Sequence, residues 1–168
     1  LVSLNKKIPI QDACLVEPLA VALHGFIRTN TKSTHKVAVI GGGTIGMCAI
    51  AAAKYIGCEV DLYAKYDHQQ EAGNKLGAKL LDGVYDRVVD CVATHETLDL
   101  SAQSAKPGSW IILLGIPLAG INLPGLKIIM NEVKIFPSIM YGSTAEVKDF
   151  EIAAKLLSTA PDIGETII

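Results

Sequence analysis

The feature that most constrains the fold is a glycine-rich segment at residues 36–46, Lys-Val-Ala-Val-Ile-Gly-Gly-Gly-Thr-Ile-Gly. Its first part, residues 37–40, is a short apolar run rich in β-branched residues, which is typical of a strand buried on both faces. A G-x-G-x-x-G spacing follows at Gly41, Gly43 and Gly46, and a helix is predicted from Ile45 onward. A glycine turn between a strand and a helix is the context in which this motif binds dinucleotides.

Each glycine has its own role in such a site. Gly41 permits the tight turn, Gly43 lets the backbone approach a pyrophosphate, and Gly46 lets helix and strand pack closely. The helix that starts near Thr44 and Ile45 offers unpaired N–H groups and a positive dipole end to an anion. We therefore predict a dinucleotide site here, and a glycine turn that serves packing alone is the alternative.

The bulk properties favour a single α/β domain. The chain has 168 residues, half of them hydrophobic, and a mean hydropathy of +0.37, which suits a parallel sheet covered by helices. A net charge of -2 gives no reason to expect nucleic acid or an anionic membrane as a partner. The sequence shows neither a signal peptide nor an apolar run of the ~18 residues that spanning a bilayer requires.

The four cysteines, Cys14, Cys48, Cys58 and Cys91, are scattered and form no C-x-x-C pair. This spacing argues against a metal site built from them and favours buried thiols in a reducing cytoplasm. We accordingly expect a cytoplasmic protein. Because the sequence begins at Leu1 rather than at methionine, we also expect a piece of a longer protein.

Residues 1–30 are predicted to form an N-terminal segment with a helix over residues 11–28, where apolar residues recur at helical spacing. Pro18 should kink or restart this helix, because it lacks an N–H group and disfavours the helical conformation at the preceding residue. That residue, Glu17, is either a solvated carboxylate on the outer face or a group that faces a cleft.

Residues 31–168 are predicted to form the dinucleotide-binding domain, in which strands alternate with helices. Asp67 is predicted as a helix N-cap, and Pro107 and Gly108 as a turn before the fifth strand. The pattern indicates a doubly wound parallel six-stranded sheet, a Rossmann fold, preceded by the kinked helix. The strands are expected at residues 37–40, 59–64, 79–81, 87–92, 110–114 and 132–137, and the helices at 45–56, 67–76, 95–105, 127–131 and 145–158.

In this fold, ligands lie outside the carboxyl ends of the strands, where the strand order reverses. The loops at residues 41–46, 64–68, 91–95, 114–117 and 138–142 should therefore meet the cofactor. Beyond the glycine turn, the predicted contacts from these loops are Ala64, Lys65, Tyr66, Cys91, Val92, Leu114, Gly115, Ile116 and Met140.

The end of the second strand bears on the choice of nicotinamide cofactor. An NAD-preferring domain usually carries Asp or Glu there, bonded to the ribose hydroxyls. Here the position is Ala64, followed by Lys65, which can pair with a 2′-phosphate, and by Tyr66, which can stack on adenine. We therefore predict NADP as the cofactor, with NAD as the second choice and with a merely solvated Lys65 as the alternative.

Four segments together resemble the coenzyme-binding domain of the medium-chain, zinc-type alcohol dehydrogenase family. They are Ala-Cys-Leu-Val-Glu-Pro-Leu-Ala-Val-Ala-Leu-His at 13–24, the glycine segment at 37–46, Asp-Cys-Val-Ala at 90–93, and Lys-Pro-Gly-Ser-Trp-Ile-Ile-Leu-Leu-Gly at 106–115. The Glu-Pro-Leu helix is similar to that of the polyol, glucose and threonine dehydrogenase branch. The resemblance covers nearly the whole chain.

The resemblance implies a hydride transfer between a nicotinamide cofactor and a small alcohol substrate, with a catalytic zinc that polarises the substrate oxygen. The zinc ligands of the family come mainly from a catalytic domain that is absent from this chain. By position, Glu17 is the glutamate that joins the zinc environment in part of the branch. The chain alone is therefore expected to bind cofactor, to hold zinc only with the missing domain, and to be inactive.

The resemblance also implies a homodimer or homotetramer, formed when the sixth strands of two subunits pair through residues 120–137. Val133, Ile135 and Phe136 would lie at that edge.

Two other functions remain open from the sequence: a stand-alone NAD(H)-sensing regulatory Rossmann module and a methyltransferase. The Glu-Pro-Leu helix and the long segment at residues 116–131 argue against a minimal sensor.

Overall fold

The computed structural model describes residues 8–118, 120–143, 148–160 and 162–167. A 3₁₀-helix over Ile10–Leu15 opens the described chain. The strands are β1 (Lys36–Ile40), β2 (Glu59–Tyr63), β3 (Lys79–Leu80), β4 (Tyr85–Asp90), β5 (Ala105–Leu113) and β6 (Lys134–Pro137). The helices are α1 (Val16–Arg28), α2 (Thr44–Ile56), α3 (Asp67–Lys75), α4 (His95–Ser104), α5 (Gly125–Met130), α6 (Asp149–Thr159) and α7 (Asp162–Ile167).

All six strands form one parallel sheet in the order β3-β2-β1-β4-β5-β6. The order reverses between β1 and β4, where Ile40 lies opposite Tyr63 on one side and Asp90 on the other. The prediction of a doubly wound Rossmann sheet is confirmed. The reversal also creates the crevice at the carboxyl edge where ligands bind in such sheets.

The sheet is buried on both faces because successive strand residues point to opposite sides. Val37 and Val39 pack into the cluster that includes α1, α2 and α6, whereas Ala38 and Ile40 pack into the cluster that includes α4. All four side chains are fully buried. This explains why β1 is a continuous apolar run rather than an alternating one.

The N-terminal helical segment is divided into two helices just before Pro18. Of the two predicted effects of this proline, a kink or a restart, the structure shows the restart. The 3₁₀-helix ends at Leu15, and α1 begins at Val16, which makes Pro18 its third residue. The N–H groups of the first helical turn have no partner within the helix, so proline loses no hydrogen bond there.

One helical stretch differs from the expectation that no segment is long and apolar enough to span a membrane. Residues Ile10–Arg28 meet that condition by length and composition, with a mean hydropathy of 1.3. Half of this stretch is buried in the fold, and Leu19, Ala20 and Leu23 lie in the core. Packing against α2 and α6 therefore accounts for its apolar composition.

Two local predictions were wrong, and one helix was not predicted. Asp67 is the first residue of α3 and not its cap, because Tyr66 occupies the N-cap position and makes no side-chain cap bond. Pro107 and Gly108 lie inside β5, where the pairing jumps from Tyr85–Ala105 to Arg87–Trp110 and the extra residues form a bulge. Helix α7 was not predicted, and the predicted start of the closing helix at residue 145 lies outside the described residues.

Candidate cofactor site

The turn between β1 and α2 is shaped by its glycines. Gly41 has a φ of +103°, and its N–H donates to the Tyr63 carbonyl at 2.9 Å. A Cβ at Gly41 would lie 2.5 Å from Val92 Cγ2, and one at Gly46 would overlap the Gly41 carbonyl oxygen. These two positions therefore exclude side chains for reasons of backbone conformation and packing.

Gly43 differs from these two glycines. It is the N-cap of α2 with φ -79° and ψ -175°, a conformation open to any residue. A Cβ there would meet no atom within 4 Å. The fold itself does not require glycine at position 43. A ligand that approaches the backbone from the open side, however, would require the absence of a side chain there.

A cavity of about 640 Å³ opens over this turn, at the point where the strand order reverses. Nine of the predicted cofactor contacts line it: Gly41, Gly43, Thr44, Ile45, Gly46, Lys65, Tyr66, Cys91 and Val92. Six residues that sequence reasoning did not single out line it as well: Gly42, Tyr63, Gln69, Thr94, Glu96 and Thr97.

The other five predicted contacts lie elsewhere. Ala64 is half-buried and packs against the core, and its Cβ lies 2.9 Å from where a Cβ at Gly42 would be. Gly115 packs on the backbone of Val92 and donates its N–H to the Asp90 carbonyl at 3.0 Å.

The remaining three of these residues lie around the same edge of the sheet. Leu114 packs against the core below the edge. Ile116 lines a second cavity of about 500 Å³, which shares Val92, Thr94 and Glu96 with the first. Met140 is 60% exposed, has a φ of +59°, and lines neither cavity.

The loop after β2 presents a cation and an aromatic ring to one side of the cavity. The Lys65 ammonium lies 5.6 Å from the centre of the Tyr66 ring, and Tyr66 stacks on His68 with ring centres 5.7 Å apart. Both Lys65 and Tyr66 are exposed. This arrangement provides a flat apolar face beside a positive charge.

The loop after β4 is held in shape by a buried carboxylate. Asp90 is fully buried; its Oδ1 accepts hydrogen bonds from the N–H groups of Val92 at 3.0 Å and Ala93 at 2.8 Å. Its Oδ2 accepts one from the Ser101 hydroxyl at 3.0 Å. These bonds fix Ala93 at a φ of +65°, a strained value for a residue with a side chain.

The next residue, Cys91, forms a neutral part of the cavity wall. Burial, with a smaller contribution from the Asp90 charge, raises the pKa of its thiol far above the usual range. A thiol that remains protonated is neither a nucleophile nor a metal ligand. Its contribution to the site is therefore steric and apolar.

The first turn of α4 brings an acidic side chain to the cavity. Thr94 and Thr97 form a capping box, in which the Thr97 N–H donates to Thr94 Oγ1 at 3.3 Å and the Thr94 N–H donates to Thr97 Oγ1 at 3.0 Å. Hydrogen bonds from the Glu96 N–H and from Thr94 lower the pKa of the exposed Glu96 carboxyl, and the charges of His95 and Lys65 add to this. Glu96 is therefore an anion at neutral pH.

The residues that the structure describes do not complete a zinc site. Glu17 lies exposed in the first turn of α1 and lines neither of the two cavities. Within the described part of the chain, no group of three His, Cys, Asp or Glu side chains is placed to hold a metal ion. A structural or catalytic zinc needs at least three protein ligands.

The strand order, the glycine turn and the crevice at the reversal define a Rossmann-type domain, the fold in which dehydrogenases hold their dinucleotides. No family model matches the chain. Human sorbitol dehydrogenase is 24% identical over 180 residues, which cover 94% of this chain and 50% of that protein. An uncharacterised zinc-type alcohol dehydrogenase-like protein of Haemophilus influenzae is 29% identical over 169 residues, 90% of this chain and 48% of that protein.

Solved structures agree on the fold. A zinc-binding dehydrogenase of Sinorhizobium meliloti bound to NADP superposes with a TM-score of 0.78 at 24% identity, covering 91% of this chain and 51% of that one. Acetophenone reductase of Geotrichum candidum in complex with NAD has a TM-score of 0.76 at 23% identity, covering 86% and 44%.

The homologues and structural neighbours of the chain are thus zinc-type, medium-chain alcohol and polyol dehydrogenases, and the resemblance predicted from the sequence is confirmed. The chain spans about half the length of the two curated relatives named above.

Proposed function

We propose that the chain is the nicotinamide-cofactor-binding domain of a zinc-type alcohol, polyol or sugar dehydrogenase, and that it supports hydride transfer between NAD(P) and an alcohol. One observation carries this proposal: the glycine turn opens into a cavity of about 640 Å³ at the strand reversal, and Gly43 leaves its backbone accessible there. The dehydrogenase relatives support it, and they give no support to the alternative of a stand-alone NAD(H)-sensing module.

The residues that line the cavity divide by chemistry into two groups. The backbone at Gly43 and in the first turn of α2 would hold the pyrophosphate, because the N–H groups at the start of a helix have no partner within the helix. Lys65 and Tyr66 would hold the adenosine end, and the ammonium favours NADP over NAD. When bound, the nicotinamide ring would supply the hydride chemistry, while Lys65 and Tyr66 would only bind the other end of the dinucleotide.

The zinc and the alcohol substrate belong, in this proposal, to the longer protein. The described residues do not provide three ligands, so Glu17 would act only together with a catalytic domain. We expect the chain alone to be catalytically inactive. The four free cysteines favour a reducing compartment, the cytoplasm, and the net charge of -2 gives no reason to expect nucleic acid or an anionic membrane as a partner.

The test is nucleotide binding by Gly43→Val. The backbone at Gly43 accepts any residue and has open space, so the variant should fold, while its side chain would occupy the room that the pyrophosphate needs. We expect calorimetry to show binding of NADPH or NADH to the unsubstituted chain and loss of at least tenfold in affinity in the variant.

The matched control is Gly125→Val. Gly125 also has open space around it, but it lies at the start of α5, away from the cavity. The Gly125→Val variant should bind nucleotide with the same affinity as the unsubstituted chain. Unchanged affinity in Gly43→Val, or no binding by the unsubstituted chain, would contradict the proposal.

A further inference from the structure

The cavity over the glycine turn has one cationic and one anionic side chain among its lining residues, Lys65 and Glu96. They stand on different elements, Lys65 on the loop after β2 and Glu96 in the first turn of α4. Both side chains line the same cavity of about 640 Å³. A ligand that fills the cavity would meet both.

The Glu96 carboxylate has acceptor capacity left for such a ligand. A carboxylate has about four lone-pair sites, and the internal partners of Glu96 are its own N–H and Thr94. The neighbouring Thr97 hydroxyl is less available, because its Oγ1 accepts from the Thr94 N–H at 3.0 Å and donates to the Thr94 carbonyl at 3.2 Å. Glu96 is therefore the strongest hydrogen-bond acceptor that the side chains of this wall offer.

The adenosine half of NADP presents a matching pattern of groups. Its 2′-phosphate is an anion on the ribose, its base is a flat ring, and the far edge of that base carries an amino group that donates hydrogen bonds. Tyr66 and Val92 line the cavity together with the two charged residues and are suited to contact a flat ring. The cation, the apolar faces and the anion of the cavity thus correspond to the phosphate, the ring and the amino group.

We propose that Glu96 recognises the base of the dinucleotide. Its carboxylate accepts a hydrogen bond from the 6-amino group of adenine, while Lys65 faces the ribose and its 2′-phosphate. This inference rests on the proposed function, since it concerns the same cavity. It makes Glu96 a specificity-determining residue that selects adenine over bases with an oxygen at that position. A carbonyl oxygen there would face the carboxylate with no proton between them, so this hydrogen bond to a charged group would be lost.

The experiment compares NADPH with reduced nicotinamide hypoxanthine dinucleotide phosphate, in which an oxygen replaces the amino group and the neighbouring ring nitrogen N1 carries a proton. Fluorescence titration of the 168-residue chain should show NADPH binding at least about tenfold more tightly. In Glu96→Gln the ratio should fall to near one or reverse, because the amide can donate to the oxygen. Asp99→Asn, on the same helix but outside this cavity, should keep the original ratio.

The outcomes separate the two proposals. Equal affinities of the unsubstituted chain for the two nucleotides would overturn the role of Glu96 while leaving nucleotide binding intact. The role would also be overturned if Glu96→Gln kept the original ratio, or tightened both nucleotides equally, since the carboxylate would then act only by repelling phosphate. If neither nucleotide bound, the proposed function itself would fail.

Discussion

At the scale of single residues, the glycines of the turn are required for different reasons. Gly41 is set by its positive φ and by Val92, and Gly46 by the carbonyl oxygen of Gly41, so both serve the fold. Gly43 has an unstrained backbone and open space around its Cα. The absence of a side chain at Gly43 therefore matters to a ligand and not to the domain, which is why it is the informative position of the motif.

Lys65 allows a prediction about the choice of cofactor. A hydrogen bond to a charged group contributes about 1.5–3 kcal/mol, which corresponds to roughly 10- to 150-fold in affinity. The chain should therefore bind NADPH more tightly than NADH by about that ratio, and added salt should reduce the difference. Ala64→Asp combined with Lys65→Ile should reverse the preference, because it supplies a ribose acceptor and removes the cation. Fluorescence titration of both nucleotides measures this.

Lys75→Ile is the control for the loss of one positive charge, since Lys75 lies in the last turn of α3 and does not line the cavity. It should leave the NADPH preference unchanged. Equal affinities in the unsubstituted chain, or a preference for NADH, would contradict the assignment. Asp67, exposed at the start of α3, would then be the first residue to examine.

At the scale of helices and strands, the sequence predicted those elements and helix ends that are determined by residues close together in the chain. The run at residues 37–40 and the glycines at 57 and 77 predicted β1 and the ends of α2 and α3, because burial periodicity and left-handed caps are local properties. Helix α7 depends on tertiary contact instead: a Cβ at Gly164 would overlap the Asp12 carboxylate, so this packing requires glycine. The bulge in β5 likewise follows from its pairing with β4.

The candidate site was predicted in part for a similar reason. Loops at strand ends follow from topology, so the positions of Lys65 and Cys91 could be inferred from the strand order. Gln69, Glu96 and Thr97 were missed because they lie in the first turns of α3 and α4, where a helix end faces the crevice. The Thr-x-x-Thr spacing at residues 94–97 was the available signal, since it resembles a capping box.

Asp90 supports a prediction about the loop after β4. Asp90→Ala would leave the N–H groups of Val92 and Ala93 and the Ser101 hydroxyl without their acceptor. Losing a buried partner costs about 1–3 kcal/mol for each of these three groups, so the free energy of unfolding should fall by at least ~3 kcal/mol. Asp90→Asn keeps one acceptor oxygen and should cost less. Urea denaturation compares the two, and an alanine variant as stable as the original would contradict this role.

At the scale of the whole molecule, the two edges of the sheet differ. The β3 edge is two residues long and carries Lys79, which discourages pairing with another chain. The β6 edge is four residues long, pairs only with β5 among the described strands, and follows α5. Three apolar side chains of α5 are more than 70% exposed: Leu126, Ile129 and Met130. A monomer would leave this apolar surface in water.

We therefore predict a dimer through residues 120–137, in which two copies of the β6 edge and α5 cover each other about a two-fold axis. Ile129→Lys combined with Met130→Lys should place charges in that interface and yield a monomer with an unchanged fold, because both side chains are exposed in the single chain. Leu80→Lys at the opposite edge of the sheet, where Leu80 is 68% exposed, is the control and should remain dimeric. Light scattering coupled to size exclusion measures the mass of each variant, and a monomeric unsubstituted chain at high concentration would refute the dimer.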